Sequence, residues 1–375
     1  MKYFSWVRAG YRRLFGVSYQ HLVTVRIFRQ RLIDNYQTLT QHAGVPVAPV
    51  LKSNAYGHGL LVIARILEPL KPPYFVVDSY YEMMQLKQDG IKTPVLIVGH
   101  TFPENIAANK FRDVVFTILS VDELRLLVEV VKKPTRVHLK IDTGLYRHGV
   151  MDHEFEEVAH LMEGNPFLQL IGLCTHYRDA DCDENFTREQ TSRFSEAISF
   201  FSARFSECKE FHAENSAGLV GRAFEGHTFA RSGLALYGLG SELVKPVMSV
   251  YTRIISVKKI PAGVAVGYGG TFISDREMVL ATIPFGYYEG LDRRLSNKGS
   301  VMVRGVVCSI VGRISMNIST IDVSGVPDVM LHDEVEVVSV DGAAPHSIVS
   351  QARLSGDIPY THLVHMLEHA QRDIV

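Results

Sequence analysis

Lys52 closes an apolar run in VLKSNAYGHG. A lysine placed after such a run is partly desolvated, which lowers its pKa and favours the free amine. A free amine can form a Schiff base with a carbonyl compound. Position alone also leaves open a lysine whose stem lies along the strand end while its head reaches solvent. Other polar residues recur at comparable places: Arg147 in LKIDTGLYRHG, His176 in CTHY, Asn215 and Ser216 in HAENSAG, and Arg231 in ARSGLALYG. Each alone could be structural. Together they place polar groups at the ends of several apolar runs, where a core needs none. Gly233 and the backbone after it could bind a phosphate.

The elements that must position these groups follow from the hydrophobic pattern. From about residue 46 to 240 a short β-branched run is followed repeatedly by a helical stretch. The runs are VPVAPVLKS, YFVVDS, TPVLIVG, DVVFTIL, TRVHLKID, LQLIGLCTH, EFHAENSA and HTFARSGLALYG. In SVDELRLLVEVVKK, between two of them, Leu124, Leu126, Leu127, Val130 and Val131 fall on a helical face. Apolar strands alternating with helices predict a parallel sheet covered by helices. Eight such units fit an α/β (β/α)8 barrel, whose reactive groups sit where strands end and βα loops begin. From about Pro246 short alternating strands punctuated by glycine and proline predict a C-terminal, mainly antiparallel β domain. The expected divisions are a basic and aromatic extension over 1–20, the barrel over 21–245 and the β domain over 246–375. HLVTVRIFR also alternates, so the first strand is a candidate to join the β domain.

Composition bounds the function. The 375 residues are 46% hydrophobic and 21% charged, which excludes a disordered chain. Lys plus Arg is 39 and Asp plus Glu is 40, a balance that argues against a nucleic-acid-binding surface. Four cysteines with no CxxC pair fit a reducing compartment and exclude a zinc ribbon. No charge-free apolar run is long enough to predict a membrane-spanning helix. The start, MKYFSWVRAGYRRLFG, is a poor signal peptide; it reads as an extension packed on its own protein or lying on a membrane surface.

VLKSNAYGHG, HLKIDTGLYRHG, THY, ENSAG, ARSGLALYGL, AVGYGGTF, TIPFGYYEG and VGRISMN resemble, in order, the motifs of the alanine racemase family. These are pyridoxal-phosphate enzymes of fold type III, and the likeness spans almost the whole chain. The resemblance implies a barrel, a β domain and a head-to-tail homodimer with shared active sites. By motif, Lys52 would hold the cofactor. Tyr56, Ser216, Gly233, Leu234 and Tyr360 would hold its phosphate, and Arg231 would face its pyridine nitrogen, backed by His176. Arg147 and the backbone N–H of Met316 would hold the carboxylate of a small amino-acid substrate. Tyr268 of the partner subunit would be a second base beside Lys52, with Tyr287 and Met316 also supplied by the partner. Lys140 matches a lysine that is often carbamylated in the family. D-alanine supply for the cell wall and a cytoplasmic location are the expected role and place.

Racemisation removes the Cα proton on one face and returns one on the other, so two acid/base groups are the simplest arrangement. A tyrosine titrates near 10 when unperturbed, so positive charge or hydrogen bonding must favour its phenolate. Some positions depart from the family pattern. Asn317 stands where Asp is usual after Met, and a neutral amide cannot supply that charge. Ser232 replaces a proline, and no Arg-Pro-Arg-like tail follows Tyr360. A serine or broader racemase, or a non-catalytic pyridoxal-phosphate-binding relative, is the alternative reading. A basic amino-acid decarboxylase of the same fold would need a cysteine-and-aspartate motif late in the chain, which VGRISMN is not. No metal is expected. His365-Met-Leu-Glu368-His369 imitates a zinc-peptidase motif but leaves few residues for a further ligand. The run from Asp179 has Glu184 where a calcium loop needs glycine.

Overall fold

β-branched and aromatic residues fill the short strands so densely that several have no polar face. In the computed structural model, which describes residues 20–221, 226–366 and 370–375, strands β3 (Phe75–Val77), β4 (Val95–Ile97) and β5 (Val114–Ile118) are buried at every position. Burial on both faces is what a parallel sheet wrapped by helices requires. Before them come β1 (Thr24–Ile27) and β2 (Val47–Pro49). After them come β6 (Thr135–Lys140), β7 (Leu168–Cys174), β8 (Glu210–His212) and β9 (Ala230–Ser232). Strands β3 to β8 pair in parallel, each with the next, as one curled six-stranded sheet. β2 and β9 form a parallel pair of their own. A bridge between Val50 and Val76 joins that pair to β3, and the Thr228 N–H donates to the Phe211 carbonyl at 2.8 Å on the other side. The strands β2 to β9 thereby close into a barrel.

The connecting helices are α1 (Arg29–Ala43), α2 (Leu60–Leu67), α3 (Tyr80–Asp89), α4 (Pro103–Ala108), α5 (Val121–Val130), α6 (Phe155–Glu163), α7 (Glu184–Arg204) and the short α8 (Ser216–Gly221). Their ends are set by sequence. Ser79 and Glu82 form a reciprocal capping box at α3, and Ser120 and Asp183 cap α5 and α7. α1 turns its Leu32, Tyr36 and Leu39 side to the barrel.

The C-terminal part is built on β10 (Met248–Arg253), β11 (Ser256–Ile260), β12 (Ala265–Val266), β13 (Phe272–Ile273), β14 (Met278–Ile283), β15 (Ser300–Val303), β16 (Val306–Ser309), β17 (Ser319–Asp322), β18 (Glu334–Val338) and β19 (Gln371–Ile374). A six-stranded sheet runs β16-β15-β18-β10-β1-β19, and a three-stranded one runs β11-β14-β17. β1 therefore lies in the C-terminal sheet, antiparallel to β10 and parallel to β19. Helices α9 (Ile348–Ser355) and α10 (Pro359–Val364) bring Ile358 and Tyr360 back to the barrel mouth. Residues 1–19 of the expected extension, and Glu368 and His369 of the imitated zinc motif, lie outside the described residues.

Candidate active site

The segment that presents Lys52 is conformationally unusual. Ser53, Asn54, Ala55 and Tyr56 all have φ between 52° and 55°. Left-handed backbone is costly for residues with a Cβ, so tertiary contacts must hold four in a row. Those contacts are visible. The Ser53 N–H donates to Glu82 Oε1 at 2.6 Å, and the Leu60 N–H donates to Asn54 Oδ1 at 2.8 Å. Arg372, on β19, donates to the Gly57 carbonyl at 2.8 Å. The turn aims Lys52 at a cavity of about 610 Å³ at the C-terminal ends of the barrel strands.

That cavity gathers Lys52, Tyr56, Lys140, Arg147, His176, Ser216, Arg231, Gly233, Leu234 and Tyr360. Ten residues scattered from position 52 to 360 thus line one space. Arg231, 7% exposed, is the best-held cation. Its Nη2 donates to the carbonyls of Thr175 at 2.9 Å and Ala213 at 3.1 Å, and lies 3.4 Å from His176 Nδ1. Its Nη1 donates to His212 Nδ1 and to the His212 carbonyl. Guanidinium groups only donate, so Nδ1 of His212 is an acceptor and its proton sits on Nε2. That proton faces His138 Nδ1 at 2.9 Å, and His138 Nε2 then donates to Glu210 Oε2 at 3.1 Å. The Tyr74 hydroxyl donates to the same oxygen at 2.8 Å. A chain of defined polarity therefore crosses the barrel interior from Tyr74 to Arg231. Burial first, and the Arg231 charge next, hold His176 and His212 well below the usual histidine range, so both rings are neutral. Burial lowers Arg231 itself, but a guanidinium remains charged at working pH.

At the mouth of β9 the Ser216 hydroxyl accepts from the N–H groups of Gly233 at 3.1 Å and Ala235 at 3.2 Å. A Cβ at Gly233 would collide with the Tyr56 hydroxyl, so glycine alone leaves the space between them. Tyr56 packs on the rings of Tyr237 and Tyr360 at 5.2 and 5.9 Å. Burial pushes Tyr56 up, with Tyr360 and Asp78 adding to it, so it stays a hydroxyl donor. Two hydroxyls beside the backbone turn that follows a glycine make a cradle suited to a phosphate. A lysine amine, that cradle and an arginine in one cavity fit pyridoxal phosphate.

Lys140 ends β6 and is 8% exposed. Burial, with Arg231 and Arg147 opposing Cys174, lowers its amine to about 8. Cys174 is pushed up by burial and stays a thiol.

Tyr268, Tyr287, Met316 and Asn317 are not brought to this cavity. They lie in the C-terminal part, and Tyr268 is 73% exposed. The Asn317 amide donates to Glu289 Oε1 at 2.8 Å, whose other oxygen accepts from the Gly286 N–H at 2.8 Å. Sequence reasoning missed Asp78, which lines the cavity, and the relay of Tyr74, His138, Glu210 and His212. The signals were an acidic residue closing YFVVDS and histidines inside apolar strands. Asp179, Asp181 and Cys182 bring possible ligand atoms within 4.8 Å of one another, an acidic grouping common on protein surfaces without an ion. Among the described residues no helix is long and apolar enough to cross a membrane.

Family profiles described as the alanine racemase N-terminal and C-terminal domains match residues 27–241 and 247–374. The chain is 34% identical over 328 residues to an alanine racemase of Syntrophobacter fumaroxidans, covering 84% of this chain and 87% of that protein. It is 30% identical over 351 residues to one from Thermodesulfovibrio yellowstonii, covering 92% and 95%. Among solved structures, the alanine racemase of Bacillus anthracis with bound L-Ala-P superposes with a TM-score of 0.87 at 25% identity, covering 96% of each chain. The Bartonella henselae alanine racemase with covalently bound pyridoxal phosphate superposes at 0.81 and 25% identity, covering 95% of this chain and all of that one.

Proposed function

The chain belongs to the alanine racemase family, and we infer from that premise and from the cavity that it interconverts L- and D-alanine with pyridoxal phosphate. The observation that carries the reading is the meeting of Lys52, the Tyr56–Ser216–Gly233 cradle and Arg231 in one space at the barrel mouth. When bound, pyridoxal phosphate supplies a sink for the electron pair left at the substrate Cα.

The protein's own groups divide the remaining work. Lys52 would hold the cofactor and, once released by substrate, take or return a proton at Cα through Nζ. Tyr56, Ser216, Tyr360 and the backbone at Gly233 and Leu234 would hold the phosphate. Arg147 and the backbone N–H of the partner subunit's Met316 would orient the substrate carboxylate. Arg231 would face the pyridine nitrogen. A guanidinium does not give up a full proton there, which keeps negative charge at Cα and favours reprotonation at that carbon over side reactions. His176, with its Nδ1 turned to Arg231, has Nε2–H available for the second base. That base would be the hydroxyl of Tyr268 of the partner subunit.

A homodimer with shared sites is part of this reading. Tyr268, Tyr287 and Met316 are outside their own chain's cavity and exposed at 73%, 44% and 55%. A cytoplasmic enzyme supplying D-alanine for the cell wall fits the cysteine usage and the reaction. Lys140, as the free amine, is able to take up CO2 and give an anion beside Arg147.

The test is incubation of cofactor-loaded protein with L-alanine in D2O, followed by chiral analysis and mass spectrometry. The expected product is an equal mixture of enantiomers with deuterium at Cα. Unlabelled, unracemised alanine would overturn the reading.

A further inference from the structure

Asp78 is the acidic side chain among the described residues that line the cavity. It follows β3, and its Oδ1 lies 3.8 Å from Lys52 Nζ. The separation is built into the backbone. Buried Glu82 accepts from the Asp78 N–H through Oε2 at 2.9 Å and from the Ser53 N–H through Oε1 at 2.6 Å. One carboxylate therefore ties the residue after Lys52 to Asp78. Gly99 lies against the other side, where a Cβ would collide with the Asp78 carbonyl at 2.2 Å and touch its carboxylate at 3.0 Å.

The other charged groups at the cavity are cationic: Lys140 on β6, Arg147 after it and Arg231 on β9 face it, with His148, the neutral His176 after β7, and the neutral Tyr56 and Tyr360. A phosphate and a substrate carboxylate are both repelled by Asp78, so neither explains it. An amine does. We propose that Asp78 is a positioning residue for the racemisation: the counter-ion that holds the Lys52 nitrogen whenever that nitrogen carries a proton. The proposal rests on the racemase reading. In the step it assists, a proton passes from the substrate Cα to Lys52 Nζ while the electron pair stays at carbon. Asp78 opposes the positive charge that develops on nitrogen, and it does so from a solvent-facing position, so the gain is modest.

The test compares wild type with Asp78→Asn and Asp78→Ser, each loaded with pyridoxal phosphate. The expected fall in kcat is about twofold to fivefold, with KM less affected. The equilibrium constant between enantiomers is one, so kcat/KM must fall alike in both directions. The Cα-deuterium isotope effects should diverge. The effect rises in the direction where Lys52 takes the proton and falls in the other, a signature that a packing defect does not give. Independently of turnover, the balance between the cofactor's two visible absorption bands reports whether the lysine-linked nitrogen is protonated. That balance should move toward the unprotonated form in both variants. Unchanged bands with matched isotope effects would overturn the proposal. So would loss of folding in both variants, because Asp78 would then be a structural anchor. If wild type fails to racemise alanine, the racemase reading fails while the band balance still judges Asp78.

Discussion

The hydroxyl of Tyr56 fills the space that any side chain at Gly233 would need. Tyr56 cannot retreat easily, because the rings of Tyr237 and Tyr360 flank it. Gly233→Ala should therefore displace the hydroxyl and open the phosphate cradle. The expected result is a loss of at least about tenfold in cofactor affinity by absorbance titration, the scale of one charge-assisted hydrogen bond. Circular dichroism of the cofactor-free protein should stay unchanged.

Lys52 and Tyr268 sit in different regions of one chain, so complementation tests the proposal that two subunits share the site. Lys52→Ala should abolish turnover and the absorbance of lysine-bound cofactor. Tyr268→Phe should impair racemisation while cofactor binding persists. Mixing the two variants after reversible dissociation should restore activity at about a quarter of the sites, because a twofold heterodimer regenerates one intact site. No recovery on mixing, with both variants folded, would argue for a site complete within one chain.

The amine of Lys140, lowered to about 8, predicts a dependence on CO2. Only the unprotonated amine attacks CO2, so uptake should grow as pH rises through about 8. Exchange into CO2-free buffer should lower activity, and bicarbonate should restore it. Labelled bicarbonate followed by mass spectrometry under mild conditions would locate the adduct. Lys140→Ala should abolish the bicarbonate response.

His138 is fully buried, with both ring nitrogens engaged. His138→Phe keeps a comparable ring volume but strands His212 Nε2 and weakens the hold on Glu210. Leaving buried polar groups without partners costs about 1–3 kcal/mol each. The melting midpoint should fall by several degrees, more than for Tyr74→Phe, whose partner Glu210 is partly solvated.

The barrel was legible because its strands are apolar without interruption. YFVVDS, TPVLIVG and DVVFTIL could not be exposed strands, and they form the buried β3, β4 and β5. The weak seventh and eighth runs are also the least regular in the fold, where β8 meets β9 through Thr228 rather than a continuous ladder. Lys52, Arg147, His176, Ser216 and Arg231 were legible as polar residues at strand ends, though spacing alone did not give them roles. Asp78 was not legible, because an acid after an apolar run ordinarily marks a solvated loop. Its meaning depends on Glu82, in the helix after it, and on Gly99, which comes from the neighbouring βα unit. The left-handed stretch Ser53–Tyr56 was hidden too, since none of its residues is glycine and nothing local announces positive φ.

Strand β1 has consequences for how the molecule is made. Its partners β10 and β19 are encoded hundreds of residues later, and β19 ends at Ile374. During synthesis the first strand waits for β10 on one side and, more than a hundred residues later, for β19 on the other. Contacts so distant in sequence are slow to form and expose an open edge meanwhile. The same late strand carries Arg372 to the Gly57 carbonyl, so the lysine-bearing turn is locked only once β19 has been made. A nascent chain released early would own a barrel but not a finished catalyst.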